Sequence, residues 1–380
     1  MTRRERMLAT LEHRQPERVP KHIRFSPAML EVFRQKTGSS DPEGYYDLEL
    51  TYTIPAPPAE TEPEDLREKF AAYHSSLPET AWLDEFGIGH IPGSLYHFAR
   101  LAHPLAHAAG ASDLERYPWP RFASDPEAML KPPQSETAGG AWPTYGKLEA
   151  GQTVRSLVAR LKQGDRFVVG AGGSIFEISW QLRGMDLLFE DFQERPAFAE
   201  CLLDHVLEAW KAGVGTLARA GADMLRITDD VGMQNRMLMA PEVWRKWLKP
   251  RLAELIQTAR LAKPDIFIQY HSDGDITPII DELIEVGVDL LDPVQPECMD
   301  PAFVKKRWGD RISLFGTIGT QTTFPFGSPE EVRRVVKERI ATCGGNGGLV
   351  LAPTHILEPD VPWANVEAFI EAADEHRGLR

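Results

Sequence analysis

The stretch IFIQYHSDGDI, residues 266–276, decides how the chain is read. Its first half is apolar and β-rich. Its second half gathers His271, Ser272, Asp273 and Asp275 around Gly274. The residues that follow, 277–286, place apolar side chains at helical spacing. A strand that stops at a polar cluster and turns straight into a helix is the junction of an α/β enzyme. Barrels of that class keep their chemistry at the carboxyl ends of the strands. His271 and Asp273 are therefore read as working residues, and the flanking chain as the scaffold that aims them.

The same rhythm extends to either side. Apolar runs FVVGAG (167–172), DMLRITDD (223–230), ISLFGTI (312–318) and GLVLAP (348–353), with a shorter one at 289–292, read as strands. Between and beyond them, helical patterning covers 153–164, 175–220 with a break near Arg195 and Pro196, 241–261, 329–343 opening from Ser328, and 361–376. Toward the start, 2–12 is an amphipathic helix carrying Met7, Leu8 and Leu11. RVPKHIRF (18–25) reads as the first strand, and Ser26-Pro27 opens the next helix. Residues 41–64 read as loop, 82–104 as short aromatic β pieces around DEFG (84–87), and 117–133 as a Pro- and Trp-rich surface cover. Strands alternating with helices imply a parallel sheet. About eight strands with no early G-x-G-x-x-G fingerprint favour a closed (β/α)8 TIM barrel over an open dinucleotide-binding sheet, with no nucleotide cofactor. Residues 1–380 are expected to form one domain, with an N-terminal extension and loop insertions.

Composition narrows the function. A net charge of -14 argues against nucleic-acid and anionic-membrane partners and disfavours a polyanionic substrate. No run of about 18 apolar residues is present, so no membrane span is expected. The charged opening lacks an apolar signal region. The three cysteines, Cys201, Cys298 and Cys343, are too widely spaced for a disulfide framework, which fits a reducing cytoplasm. Cys298 and Cys343 read as core or loop residues.

Polar residues recur where the late strands end: Asp229 and Asp230 after LRIT, His271 and Asp273 after IFIQY, Gln321 after LFGTIG, and His355 after LVLAP. In a barrel these ends share one rim. Imidazoles and carboxylates there can bind a divalent metal or act as general acid and base. Two histidines and a carboxylate suit zinc without excluding other metals. Each residue also has a purely structural role open to it. Asp230 can cap a segment beginning near Gly232, and Asp229 can pair with a charge on a neighbouring strand. His271 and His355 can bond backbone, and Asp273-Gly274 can be a turn. GGNGG (344–348) follows a helix and reads as its stop rather than a phosphate loop.

Taken in order, RERMLATLEHRQPERVP (4–20), DDVGMQ (229–234), HSDGDI (271–276), FGTIGTQTTFPFGSPEEV (315–332) and LAPTHILEPDVPWANVEAF (351–369) resemble the uroporphyrinogen decarboxylase superfamily over nearly the whole length. The resemblance implies a (β/α)8 barrel and one of two chemistries. The metal-free decarboxylases bind their substrate's carboxylates through an M-R-Q-A-G-R-Y motif, with a key aspartate and a late histidine. Here His355 matches the histidine, Asp84 lies in the region of the aspartate, and the motif is missing except for Arg24. The corrinoid-linked methyltransferases hold zinc through H-x-C and a later cysteine. Here His271 is kept, Asp273 replaces the cysteine of H-x-C, and His355 stands in the later position.

The resemblance thus implies metal-assisted methyl transfer from a small methylated molecule. His271, Asp273 and His355 would hold Zn2+, Asp229 or Asp230 would position substrate or act as base, and Gln321 would contact substrate. The alternative is decarboxylation of a porphyrinogen or smaller acid, with Asp84 or Asp273 stabilising a protonated intermediate, Arg24 binding carboxylate and His355 holding the substrate. A third reading is a non-catalytic binder of a corrinoid or tetrapyrrole. A corrinoid protein is the implied partner, and a homodimer is implied by the decarboxylases.

Overall fold

The computed structural model describes residues 1–53, 56–59, 65–93, 100–130 and 151–375. Its centre is a seven-stranded parallel sheet: β1 (Leu50–Tyr52), β2 (Phe167–Ala171), β3 (Met224–Thr228), β4 (Phe267–His271), β5 (Leu290–Val294), β6 (Ser313–Ile318) and β7 (Leu349–Pro353), hydrogen-bonded in that order. Helices cover the outer face, so both faces of each strand are buried and the strands read as nearly continuous apolar runs. Six of the seven strands fall where the apolar runs place them. β1 lies within residues 41–64, a span expected to be loop; at three residues it is too short to show a period.

Residues 18–25 correct the first expected strand. This segment joins the free edge of β7 through parallel bridges at Lys21–Leu351 and Phe25–Leu357, without forming a ladder. Pro20 has no N–H to give, and the Lys21 N–H is taken by Glu49 Oε2 at 2.9 Å. The ring of strands is therefore an incomplete barrel among the described residues. Its gap between residues 18–25 and β1 is bridged by side chains. Glu49, fully buried, also accepts from Arg6 at 2.8 Å and Arg18 at 2.6 Å.

The N-terminal helix Arg3–Leu11 plugs the floor. Its Met7 and Leu11 cluster with Leu50, Phe167, Met224, Leu290, Phe315 and Val350. Side chains alternate along a strand, so the residues two and four beyond this apolar layer point into the same interior. On β3 these are Arg226 and Thr228, on β4 Gln269 and His271, and on β5 Asp292. The apolar floor thus gives way to a polar ceiling at the carboxyl ends.

The helices start as their caps dictate. Ser26 and Ser328 each accept a backbone N–H from the first turn, with proline at the following position. The 175–220 helical stretch divides at Gly184 and Arg195 into Phe176–Arg183, Met185–Glu194 and Pro196–Ala220. Residues 82–104 supply a small antiparallel sheet of Trp82–Leu83, Gly89–Ile91 and Arg100–Ala102. The last part of the expected 117–133 cover, residues 131–133, lies outside the described residues, as do residues 54–55 and 60–64 of the expected loop. Among the described residues, no helix is long and apolar enough to cross a membrane.

Candidate metal centre

The loop after β4 is shaped by contact with the loop after β3. Gly274 has φ +83°, and a Cβ there would lie 2.5 Å from the Gly232 carbonyl carbon. Asp275 N donates to Met233 O at 2.7 Å, and Val231 N donates to Ser272 Oγ at 3.0 Å. Two glycines therefore let the backbones touch, and the touch fixes the side chains between them. Asp273 N donates to Asp230 Oδ1 at 2.8 Å. His271 Nε2 stands 3.8 Å from the same oxygen. One ligand atom each from Asp230, His271 and Asp273 falls within 4.8 Å of the others.

His271 is oriented from behind. Its Nδ1 lies 3.1 Å from Asp292 Oδ2. That oxygen also accepts from Arg226 Nε at 2.9 Å and Gln269 Nε2 at 2.8 Å. The strand register makes this possible: Arg226 pairs with Gln269 across β3 and β4, and His271 with Asp292 across β4 and β5. With Nδ1 facing the Asp292 carboxylate, Nε2 is the nitrogen turned toward Asp230 and Asp273. Metal-binding histidines are commonly held in this way.

The electrostatics are those of crowded buried carboxylates. Burial, with Asp230 and Asp229 adding repulsion, pushes Glu177 up to about 8. Burial, with Asp230 and Asp292 adding repulsion against the pull of His271, pushes Asp273 up to about 6. Asp292 goes the other way. Burial would raise it, but His271 and Arg226 hold it well below the usual carboxylate range. His271 is raised: burial and Arg226 would lower it, and Asp292 outweighs both.

Asp273 Oδ1 is buried without a hydrogen-bond partner, an acceptor awaiting a cation. An imidazole nitrogen and two carboxylates, at a site where Asp230 is partly exposed, fit a divalent ion with an open position for substrate. This donor set is harder than a thiolate set and suits zinc among other divalent ions.

The expected residues separate as follows. His271, Asp273 and Asp230 converge. His355 is not among the converging atoms; Asp230 stands where it was expected. His355 instead lines a cavity with His22, Ile23, Arg24, Asp292 and Thr354, so Asp292 borders both groups. Asp229 faces away from the cluster as a helix cap: its Oδ1 accepts from Ser174 Oγ at 2.7 Å, Phe176 N at 2.7 Å and Glu177 N at 3.1 Å. Asp230 itself caps no helix near Gly232, where the chain forms a short strand; its Oδ1 accepts from Asp273 N. Asp84 folds its own hairpin, accepting from Phe86 N at 3.0 Å and Ile88 N at 2.9 Å and pairing with His90 at 3.0 Å. Gln321 is exposed, and its backbone N donates to Glu297 Oε1 at 3.3 Å.

Glu177, Arg226, Asp292 and His22 carry functional geometry that the sequence reading missed. Arg226 within DMLRITDD and Asp292 within LLDP are charges at inward positions of buried strands, a sign that they pair across the interior. Glu177 follows the GGS that ends β2, one residue into a helix.

Residues 130–376 match the sequence model of the family described as uroporphyrinogen decarboxylase (URO-D). The methylcobamide:CoM methyltransferase MtaA of Methanosarcina barkeri is 28% identical over 200 residues, 52% of each chain. The uroporphyrinogen decarboxylase of Salinibacter ruber is 28% identical over 162 residues, 41% of this chain and 42% of that one. These alignments span about half the length of the curated relatives. A solved methyltransferase from Methanosarcina mazei superposes over the full length of both chains, with TM-score 0.63 and 19% identity, a likeness of fold.

Proposed function

Since the chain belongs to the uroporphyrinogen decarboxylase family, we propose that its barrel mouth carries out metal-assisted methyl transfer from a small oxygen- or nitrogen-methylated molecule, with a corrinoid protein as methyl acceptor. The observation that carries this reading is the convergence of Asp230, His271 and Asp273, with His271 fixed by Asp292. The similarity to a methylcobamide:CoM methyltransferase supports the same class of reaction. Carboxylates in place of thiolates favour an oxygen-bearing substrate over a thiol.

Asp230, His271 and Asp273 would hold the ion, zinc being the first candidate. When bound, it would polarise the substrate heteroatom as a Lewis acid. The chain supplies the proton. Glu177, pushed up to about 8, is largely protonated at neutral pH and sits beside Asp230. As the methyl–heteroatom bond breaks and the methyl passes to the nucleophile, Glu177 donates its proton to the leaving heteroatom. Asp292 and Arg226 hold the His271 ring in place throughout.

The decarboxylase reading draws support from Arg24 and His355, which line one cavity. A porphyrinogen carries eight carboxylates and needs several cations to desolvate it. Arg226 is committed to Asp292, and the cavity that Arg24 lines is only about 10 Å3. A smaller acid is the form of this alternative that fits.

The test is methyl transfer from methoxylated and methylamine compounds to free cob(I)alamin, followed by the cobalamin absorption change, with metal-replete wild-type protein and His271→Ala. Turnover in the wild type and its loss in the variant support the proposal. Carbon dioxide release from small acids with no methyl transfer would overturn it, and binding of a corrinoid with no turnover would assign the chain as a binder.

A further inference from the structure

On the outer layer of the barrel, one helix presents a thiol and an imidazole side by side. The helix Pro196–Ala220 buries Leu202, Leu203, Val206 and Leu207 in the core and turns Glu200, Asp204 and Glu208 to solvent. Cys201 and His205 fall between these two faces, both half-buried. Four residues apart, their side chains stand on one stripe, one turn from each other. With Ala197 and the three acids they line a surface groove of about 430 Å3.

The chain leaves the ligand atoms of this pair unused. Cys201 is in no disulfide, and neither its sulfur nor a ring nitrogen of His205 is hydrogen-bonded among the described residues. The imidazole is held by its face instead. It stacks on Trp119 at 4.7 Å with 10° between the planes, and Trp119 Nε1 donates to Leu114 O at 2.8 Å. Burial lowers His205 against the pull of Asp204 and Glu115, so the ring is neutral at neutral pH and keeps a lone pair. Burial raises the Cys201 thiol, with Asp204 and Glu115 adding to it. Surroundings that discourage a bare thiolate favour a cation bound to it. Asp204 is matched by Arg251 and Glu208 by Lys211. Glu115 and Glu200 pair with no cation among the described residues, so the groove keeps a net negative charge.

We propose that Cys201 and His205 together bind one thiophilic divalent cation of the zinc and cadmium class, with Glu115 and Glu200 supplying further negative charge. As the sulfur–metal bond forms, the thiol proton passes to solvent, and water completes the coordination. Sulfur and imidazole nitrogen select such ions over magnesium and calcium. Among the described residues, only Asp230, His271 and Asp273 gather three ligand atoms within 4.8 Å of one another. The helix pair is therefore a two-point site, weaker than the barrel mouth, and releases its ion on dialysis. It draws on none of the barrel-mouth residues and stands or falls apart from the methyl-transfer reading.

The experiment is titration of the full chain with cadmium chloride, read by the ultraviolet charge-transfer absorption of a cadmium–thiolate bond. The barrel-mouth group offers only nitrogen and oxygen, so cadmium bound there is silent in this band. The band is expected to saturate at one thiolate-bound ion per chain. Cys201→Ser is expected to abolish it. Cys298→Ser removes the other half-exposed thiol and is expected to leave it unchanged. His205→Phe keeps a ring against Trp119 and removes both nitrogens. Even an outer partner of a metal ligand is worth about tenfold or more, so this variant should weaken cadmium at least about tenfold. Melting temperatures of the metal-free variants check that each is folded. No band in the wild type, a band kept in Cys201→Ser or lost in Cys298→Ser, or undiminished affinity in folded His205→Phe would overturn the proposal.

Discussion

The Asp292 carboxylate lies 3.1 Å from Nδ1 of His271, through an oxygen that Arg226 and Gln269 also reach. Two hydrogen-bond donors and the His271 ring, from two neighbouring strands, meet on one buried carboxylate oxygen. The carboxylate therefore has a fixed position, and the imidazole it faces has a fixed ring plane. Asp292→Asn is expected to lower divalent-metal affinity about 10- to 100-fold, the usual cost of losing such a partner. It also leaves Arg226 buried beside a neutral group, so stability should fall by about 3–5 kcal/mol. Competition titration with a chelator and denaturant unfolding measure the two effects. Gln269→Leu removes one bond to the same oxygen and should weaken metal binding less.

Asp229 and Asp230 are adjacent in sequence and opposite in role. Asp229→Ala removes the acceptor at the start of the Phe176–Arg183 helix and is expected to cost about 1–2 kcal/mol of stability. Metal content should stay at the wild-type level. Asp230→Ala should do the reverse, with metal lost and the melting temperature of the metal-free protein unchanged or raised. Thermal melts with elemental analysis on both variants check the division of labour.

Three acids near the site bear on the pH dependence. Glu177 goes up to about 8, Asp229 to about 7 and Asp273 to about 6, each mainly through burial. Each folded value exceeds its unfolded one, so each contributes stability that is complete below the unfolded value and lost as pH rises through the folded one. The metal-free protein is expected to lose stability between about pH 4 and 8. Added divalent metal should offset that loss by replacing protons with a cation. Asp292 has the opposite sign, and its contribution is lost in acid below the unfolded value. Glu177→Gln should flatten the alkaline part of the stability profile. Methyl transfer should decline as pH rises through about 8 in the wild type, and the variant should lack that limb. Melting temperatures and initial rates across this range are the measurements.

Gly274 allows the β4 loop to rest on the β3 loop. Gly274→Ala places a Cβ against Gly232 at a left-handed φ, which is expected to cost about 1–2 kcal/mol from the backbone alone and more from the clash. Since this contact sets the spacing of Asp230 from Asp273, metal affinity should fall together with stability. Gly38, at a helix end with φ +72° and open space around it, is the control: Ala there should lower stability and leave metal binding alone.

The strands most legible in the sequence are those whose apolar runs end at polar clusters, and β4 shows why. Burial of both faces demands the run, and the pocket demands the break. His271 and Asp273 follow directly from that logic. Asp230 was visible as a candidate, but its partnership with His271 depends on two loops touching through Gly232 and Gly274, a contact that no spacing along the chain records. Arg226 and Asp292 are single charges inside short strands and gain meaning only from the register between strands. β1 was hidden by its length. Residues 18–25 carry the composition of a strand, yet Pro20 and the Glu49 side chain take away the bonds a ladder needs. His355 was expected beside His271; it lines a cavity that Asp292 also borders.

The central claim is that Asp230, His271 and Asp273 together grip one divalent ion. The most direct measurement is metal stoichiometry by elemental analysis after zinc-replete preparation and dialysis, in wild type, His271→Ala and His355→Ala. One ion per chain is expected in the wild type and in His355→Ala, and none in His271→Ala. An ion retained by His271→Ala, or lost equally from His355→Ala, would contradict the account.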